Sequence, residues 1–291
     1  MLTLFAPAKI NVTLEVLTRR SDGYHTLRSV MLPIALYDRI ELRPARAAAF
    51  AASDPALVRD NLVSRALSAA GLAEHFDAML HKVIPVGGGL GGGSSDAAAI
   101  VRAAMSGALG ERADQDWLAL AAQLGSDVPF FLGGTGALVE GTGERVTPLG
   151  ALPEWWVVVV RPHAVVATAD AYRRLDEARE RAGSRDSRPR GSSASLAAVD
   201  ALQRHDLPAL AAALVNDFHE VICASHPPVA RAAAALLAAG AARPLLSGSG
   251  SCLFALCETE PEALQIARRL APSEDIEAVF AVALHHDVAW R

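Results

Sequence analysis

The chain has 291 residues, 52% hydrophobic and 20% charged, with a formal net charge of −5. That length suits two ordinary domains with their own cores, and the mild acidity without a basic block leaves no footprint for nucleic acid or an anionic membrane. The longest apolar runs, 155–160 and 232–242, fall short of a membrane span of about 18 residues, and the first residues lack the pattern of a signal peptide, so a cytoplasmic protein is expected.

Residues 2–16 alternate apolar and polar side chains, with Ile10, Val12, Leu14 and Val16 on one face and Lys9, Asn11, Thr13 and Glu15 on the other. That period of two predicts a half-buried strand carrying a polar stripe. A turn at 19–23 leads to two further strand-like runs, 29–36 and 39–42, as antiparallel neighbours. Residues 61–72 and 76–80 are expected to be helical, 82–86 a short strand and 95–109 a helix. A helix over 114–124 stops at Gly125, and 133–139 with 144–149 suggests a hairpin. The strand over 155–162 opens a second half, which puts the domain break near residue 151 and gives domains of 1–150 and 151–291. Residues 179–195, rich in Arg, Ser and Gly, are expected to be a disordered or variable surface loop without a function.

Three cysteines, Cys223, Cys252 and Cys257, show no metal-type pair spacing and suit reduced core thiols. The nine histidines contain no H-E-x-x-H, so no metal cage is expected.

The most informative segment is 85–99, PVGGGLGGGSSDAAA, where six glycines precede a Ser-Ser-Asp helix start. Glycine lets the backbone lie against a ligand, and the N–H groups of the following helix attract anions. The segment is therefore a candidate phosphate cradle. A Walker A loop is excluded, because no lysine follows Lys82. Gly87, Gly89 and Gly92 satisfy the dinucleotide pattern G-x-G-x-x-G, with Asp114 or Asp116 as the candidate ribose acid. In a glycine-rich run that match is cheap, and it comes about 80 residues into the chain rather than in a first βαβ unit.

Three other segments carry candidate chemistry. Lys9 is one of only two lysines among 27 basic residues; its ammonium suits a phosphate or a developing alkoxide, although the spacing alone favours a solvated strand lysine. His25, in Asp-Gly-Tyr-His, is also consistent with a simple turn residue. Asp127, between a helix stop and Pro129, reads locally as an N-cap. The run 247–254, SGSGSCLF, is either a phosphate-closing loop or a plain Gly/Ser connection.

In this order, PAKIN at 7–11, DGYH at 22–25, GLGGGSSDAAA at 89–99, GSDVPFF at 125–131, the EGTGE run at 140–144 and SGSGSCLF at 247–254 resemble the galactokinase, homoserine kinase, mevalonate kinase and phosphomevalonate kinase (GHMP) superfamily. Within it they are most similar to the 4-diphosphocytidyl-2-C-methyl-D-erythritol kinase family of the non-mevalonate isoprenoid pathway. The resemblance implies an α+β, two-domain GHMP kinase fold: an N-terminal ATP-binding domain with the glycine-rich loop, a C-terminal α/β sandwich-like domain, and the active site in the cleft between them.

It also implies transfer of the γ-phosphoryl of ATP, with Mg²⁺, to the 2-hydroxyl of CDP-methylerythritol. Asp127 would accept the hydroxyl proton, and Lys9 would keep that carboxylate ionised and stabilise charge at the transferred group. Pro85, Val86, Gly87, Gly88, Gly89, Leu90, Gly91, Gly92, Gly93, Ser94 and Ser95 would wrap the triphosphate, with Ser95 a candidate for Mg²⁺ and Asn61 on the nucleotide side. His25 would read the cytosine edge, Tyr24 or Tyr172 would stack on its ring, and Asn11, Thr142 and Thr168 would add polar contacts. The segment 216–220, NDFHE, departs from the family's Asn-Asp-Leu-Glu element and leaves the role of Glu220 open. A monomer or weak homodimer is expected. The alternatives are a mevalonate or homoserine kinase of the same superfamily, which would not need His25, and a catalytically inactive nucleotide-binding regulator.

Overall fold

The computed structural model describes residues 1–291 except 47, 60, 111–114, 184–192, 271 and 286–291. Two long strands, β1 (Leu2–Arg19) and β2 (His25–Pro44), form an antiparallel ribbon with Lys9 opposite Pro33 and Asn11 opposite Met31. After β3 (Phe50–Ala52) and a 3₁₀ turn at Pro55–Leu57 come α1 (Leu62–Ala69), β4 (Phe76–His81), α2 (Gly92–Met105), α3 (Trp117–Leu124), α4 (Val128–Leu132), β5 (Ala137–Gly141) and β6 (Arg145–Pro148). The second half holds β7 (Trp156–Pro162), α5 (Thr168–Arg181), α6 (Ala194–Gln203), α7 (Leu207–Ala213), β8 (Val215–Asn216), α8 (His219–Ser225), α9 (Pro227–Ala238), β9 (Leu245–Leu246), β10 (Leu253–Cys257), α10 (Glu260–Arg269) and β11 (Ile276–Ala283).

The first sheet runs β3-β4-β2-β1-β8, with β5 on β2 and β6 on β5. The second runs β11-β7-β10-β9. Although it comes from the second half of the chain, β8 pairs in parallel with β1, Thr13 facing Val215. One core lies between the first sheet and α1 to α4, around Ile40, Leu80, Ile100 and Phe130. A middle core around Ile10, Leu32, Val157, Val159 and Phe254 joins the sheets, and an outer one around Val158, Val160, Ile222 and Leu236 joins the second sheet to its helices. Both faces of β7 are thus covered, so its valines are apolar without alternation. No single described helix is long and apolar enough to cross a membrane.

Several expectations need correction. The polar stripe of β1 is not half-exposed: Lys9, Asn11, Thr13 and Glu15 are all buried, because the glycine loop and α6 cover that face. Residues 29–36 and 39–42 belong to one strand. Residues 76–80 are β4 rather than helix, since their apolar residues alternate and pair with β2, Leu80 opposite Ile40 and Ala78 opposite Leu42. Residues 82–86 do not continue the ladder, because the Asp38 carboxylate takes the N–H groups of Val83 and Ile84.

The hairpin of β5 and β6 forms as expected, Val139 opposite Val146. Of the presumed loop 179–195, Arg179 and Arg181 end α5, while Ser193 caps α6 and Ser195 lies in its first turn. Ser193 and Ser195 donate to the Glu15 carboxylate, which ties that end of the segment to β1. Residues 184–192 fall outside the described residues, as does Asp114. Asp116 caps α3 through the N–H of Ala119 and is no ribose acid.

Candidate active site

A cleft of about 1170 Å³ gathers side chains from both halves of the chain. Lys9 and Asn11 enter from β1, His25 from the start of β2, Asp127 from the turn before α4, Thr142 from the β5–β6 hairpin, and Thr168 and Tyr172 from α5. Gly87, Gly89 and Gly91 form one wall and Gly248, Ser249 and Gly250 another.

The two glycine-rich loops interlock. Cys252 N–H donates to the Gly88 carbonyl at 3.0 Å and Ser247 Oγ to the Gly89 carbonyl at 3.0 Å. Gly89 has φ +76°, and a Cβ there would lie 2.0 Å from the Ser247 carbonyl oxygen, so only glycine allows this approach. Asn216 holds the second loop from below, its amide donating to the carbonyls of Leu246 at 2.7 Å and Gly248 at 2.8 Å. The first loop then opens α2 at Gly91, φ +71°, where no side chain caps the helix. The N-terminal N–H groups of α2 are therefore available to an anion.

Lys9 is fixed against this loop, its N–H donating to the Leu90 carbonyl at 2.9 Å. Its Nζ donates to Asn11 Oδ1 at 2.5 Å and stands 3.7 Å from Asp127 Oδ2, an ion-pair distance longer than a hydrogen bond. Asn11 is steadied in turn by Ser29, whose hydroxyl accepts from its amide at 2.8 Å. Burial lowers the Lys9 pKa below the ordinary lysine value, and the facing Asp127 only partly restores it. Asp127 occupies the N-cap position of α4, yet its side chain makes no capping hydrogen bond. The local N-cap reading is thus corrected: the carboxylate faces Lys9 instead of the helix. Behind it, Gly143 packs so closely that a Cβ would lie 2.6 Å from the Ser126 carbonyl oxygen.

At the other end of the cleft, His25 Nε2 donates to Asp176 Oδ1 at 2.9 Å. A carboxylate only accepts, so this contact places a proton on Nε2. The Tyr172 ring stacks on His25 with centroids 5.0 Å apart and meets Phe218 edge-on at 4.9 Å. Burial, with the charges of Asp127 and Asp176, pushes the Tyr172 hydroxyl up to about 12. Tyr24 is 68% exposed at the mouth. Thr142 gives its N–H and hydroxyl to Glu144, and the Thr168 hydroxyl meets that of Ser249 at 3.0 Å.

The remaining candidates sit around the loop rather than in the open cleft. Asn61 caps α1, accepting from Ser64 N–H at 2.8 Å, while Leu62 beside it packs within reach of Gly93. The Leu90 side chain belongs to the middle core, so its backbone alone is offered to a ligand. Pro85 and Gly88 underlie the loop, Val86 is about half exposed, and Gly92 and Gly93 form the first turn of α2 with Ser94. The Ser95 hydroxyl is buried without a hydrogen-bond partner.

Sequence reading missed Asp176, although Thr168, Tyr172 and Asp176 recur at intervals of four on one face of α5. It also missed Asn216 as the support of the second loop. Behind the first loop, Lys82 pairs with Asp38 and Asp96. Burial, opposed by Lys82 and reinforced by Asp38, pushes the Asp96 carboxyl up to about 7.

A glycine loop running into an uncapped helix, locked to a second glycine loop and facing a buried lysine–aspartate pair, defines a small-molecule kinase of the GHMP type. Residues 60–135 match the GHMP kinases N terminal domain and 198–274 the GHMP kinases C terminal family. The protein from Symbiobacterium thermophilum named 4-diphosphocytidyl-2-C-methyl-D-erythritol kinase is 39% identical over 91% of this chain and 94% of its own. The Deinococcus radiodurans protein of that name is 39% identical over 92% and 88%. A crystal structure of 4-(cytidine 5'-diphospho)-2C-methyl-D-erythritol kinase superposes with TM-score 0.77 at 35% identity, covering 98% of this chain and 99% of the other. Homoserine kinase from Cytophaga hutchinsonii, at 21% identity and TM-score 0.70, shares the fold. The chain belongs to the 4-diphosphocytidyl-2-C-methyl-D-erythritol kinase family.

Proposed function

We propose that the protein transfers the γ-phosphoryl of ATP to the 2-hydroxyl of 4-diphosphocytidyl-2-C-methyl-D-erythritol. The observation that carries this reading is the gathering of one charge pair, Lys9 and Asp127, both glycine loops and the His25–Tyr172 stack in a single cleft. In this reading the glycine loops that crowd Lys9 cradle the phosphates, and His25, in the same cleft, reads the base. The division into domains at residue 150 suits this arrangement, since both halves supply walls of the cleft.

Little covalent chemistry falls to the protein in phosphoryl transfer, so positioning and electrostatics carry the rate. The backbone of residues 85–95 and the start of α2 hold the triphosphate. Asp127 accepts the proton of the attacking hydroxyl. Lys9 pairs with the Asp127 carboxylate and neutralises charge on the transferred group, while Asn11 and the Leu90 carbonyl hold it in place. Mg²⁺, when bound, screens the phosphate charge, and the buried, unpartnered Ser95 hydroxyl fits a ligand to it or to a phosphate oxygen. His25 Nδ1 accepts from the cytosine amino group, and Tyr24 or Tyr172 stacks on the base. Thr142 and Thr168 add polar contacts to the substrate.

The test is a coupled assay with ATP, Mg²⁺ and the cytidine substrate beside mevalonate and homoserine. Turnover of the cytidine substrate alone, with a new phosphomonoester on its 2-hydroxyl by ³¹P NMR, is expected. Turnover confined to mevalonate or homoserine overturns the substrate, and ATP binding without turnover of any alcohol overturns the enzyme.

A further inference from the structure

We propose that Lys82, held between Asp38 and Asp96, is a positioning residue for ATP: the three buried side chains clamp both ends of the glycine loop and so fix its phosphate-facing backbone. This rests on the assignment of residues 85–95 as the triphosphate cradle.

Lys82 stands immediately after β4. Its Nζ donates to Asp38 Oδ2 at 2.5 Å and to Asp96 Oδ2 at 2.9 Å. The other oxygen of Asp38 accepts the N–H groups of Val83 at 2.6 Å and Ile84 at 2.9 Å. Asp38, wholly buried on β2, therefore sets the direction in which the chain leaves the sheet for the loop. Asp96 lies in the second turn of α2, just past the other end of that loop. A single ammonium thus joins the start of the loop to its finish. The fit is close at the junction, where a Cβ on Gly92 would come within 3.1 Å of Lys82 Nζ and 3.0 Å of Ile84.

None of the three side chains lines the cleft, so the cluster acts through the backbone it holds and not by touching nucleotide. A buried ion cluster is a poor device for stability, because apolar residues of similar volume do as well or better, whereas it fixes geometry by requiring every partner in place. What it fixes here bears on the ligand. The Ser95 hydroxyl, next to Asp96, is buried and unpartnered on the first turns of α2, so a shift of Asp96 moves that hydroxyl together with the helix N–H groups.

The experiment measures KM for ATP and for the cytidine alcohol, and kcat, in full-length wild type, Lys82→Met, Lys82→Arg and Asp96→Asn, each checked for folding by circular dichroism. Lys82→Met is expected to raise the ATP KM about tenfold or more with the alcohol KM within about twofold, and Lys82→Arg to recover much of that loss. A folded Lys82→Met with unchanged ATP KM, or with both KM values raised alike, overturns the clamp. If Lys82→Met does not fold, Asp96→Asn decides: an ATP KM about threefold higher with the alcohol KM unmoved supports the clamp, and no change overturns it. Wild type that fails to use ATP overturns the functional reading and the clamp together, whereas wild-type turnover with an unmoved variant overturns the clamp alone.

Discussion

The Lys9 ammonium lies 3.7 Å from the Asp127 carboxylate while Asn11 Oδ1 holds it at 2.5 Å. The two charged groups are poised rather than locked, which leaves the Asp127 oxygens free to take a proton from an alcohol. Asp127→Asn keeps the shape and removes the carboxylate that the proposed mechanism uses as its base. It is expected to lower kcat by roughly 10²- to 10⁴-fold with both KM values nearly unchanged, because a general base acts mainly in the transition state. Activity near wild type in steady-state kinetics would remove Asp127 from the chemistry.

Burial depresses the Lys9 pKa below lysine's ordinary 10.5. Its cationic form is present below that lowered value and lost as pH rises through it. The kcat profile should therefore fall on the alkaline side before pH 10.5. Lys9→Arg, whose guanidinium stays charged, should be slower overall because Gly91 and Gly248 crowd the site, and its alkaline fall should move upward. An unchanged alkaline limb in that variant excludes Lys9 as its source.

His25 and Asp176 form one unit. His25→Ala should raise the KM for the cytidine substrate about 10- to 100-fold and leave ATP binding nearly constant, because the histidine's hydrogen bond is lost on one ligand only. Asp176→Asn should act in the same direction but more weakly, since an amide no longer enforces a proton on Nε2. Equal losses for both ligands, read by titration calorimetry, contradict the assignment of this end of the cleft.

At Gly89, φ +76° and a 2.0 Å approach to the Ser247 carbonyl leave no room for a methyl group. Gly89→Ala is expected to weaken ATP by about tenfold or more through displacement of both loops. Gly150→Ala, also at positive φ but with nothing within 4 Å, serves as the control for backbone strain alone. Equal ATP affinity in the two variants would show that the close approach carries no function.

Much of the site was legible because it is built from short segments with unusual composition. The glycine loop, PAKIN and DGYH each stand out, and their order placed Lys9, His25 and Asp127 in one family pattern. Local rules alone make Asp127 a cap, since an acid before Val-Pro is a cap signal, and only the long-range contact with Lys9 shows that its carboxylate faces elsewhere. Asp176 escaped because its partner is a ring 151 positions away in sequence. The β4 segment reads as helix in isolation because Phe76, Ala78 and Leu80 declare a strand only once β2 lies beside them. The polar side chains of β1 looked solvent-facing for the same reason: their partners, Ser29 and Ser195, lie in other elements.

Because Gly88 and Gly89 accept hydrogen bonds from Cys252 and Ser247 across the molecule, neither half of the polypeptide completes the interlocked pair of glycine loops by itself. A gene split near codon 150 would yield two fragments with no separate catalytic competence, and kinase activity restored by mixing them would report their reassembly. The same dependence ties inheritance of the two halves together: an exchange of one half between relatives is expected to keep activity only if it brings a matching second glycine turn.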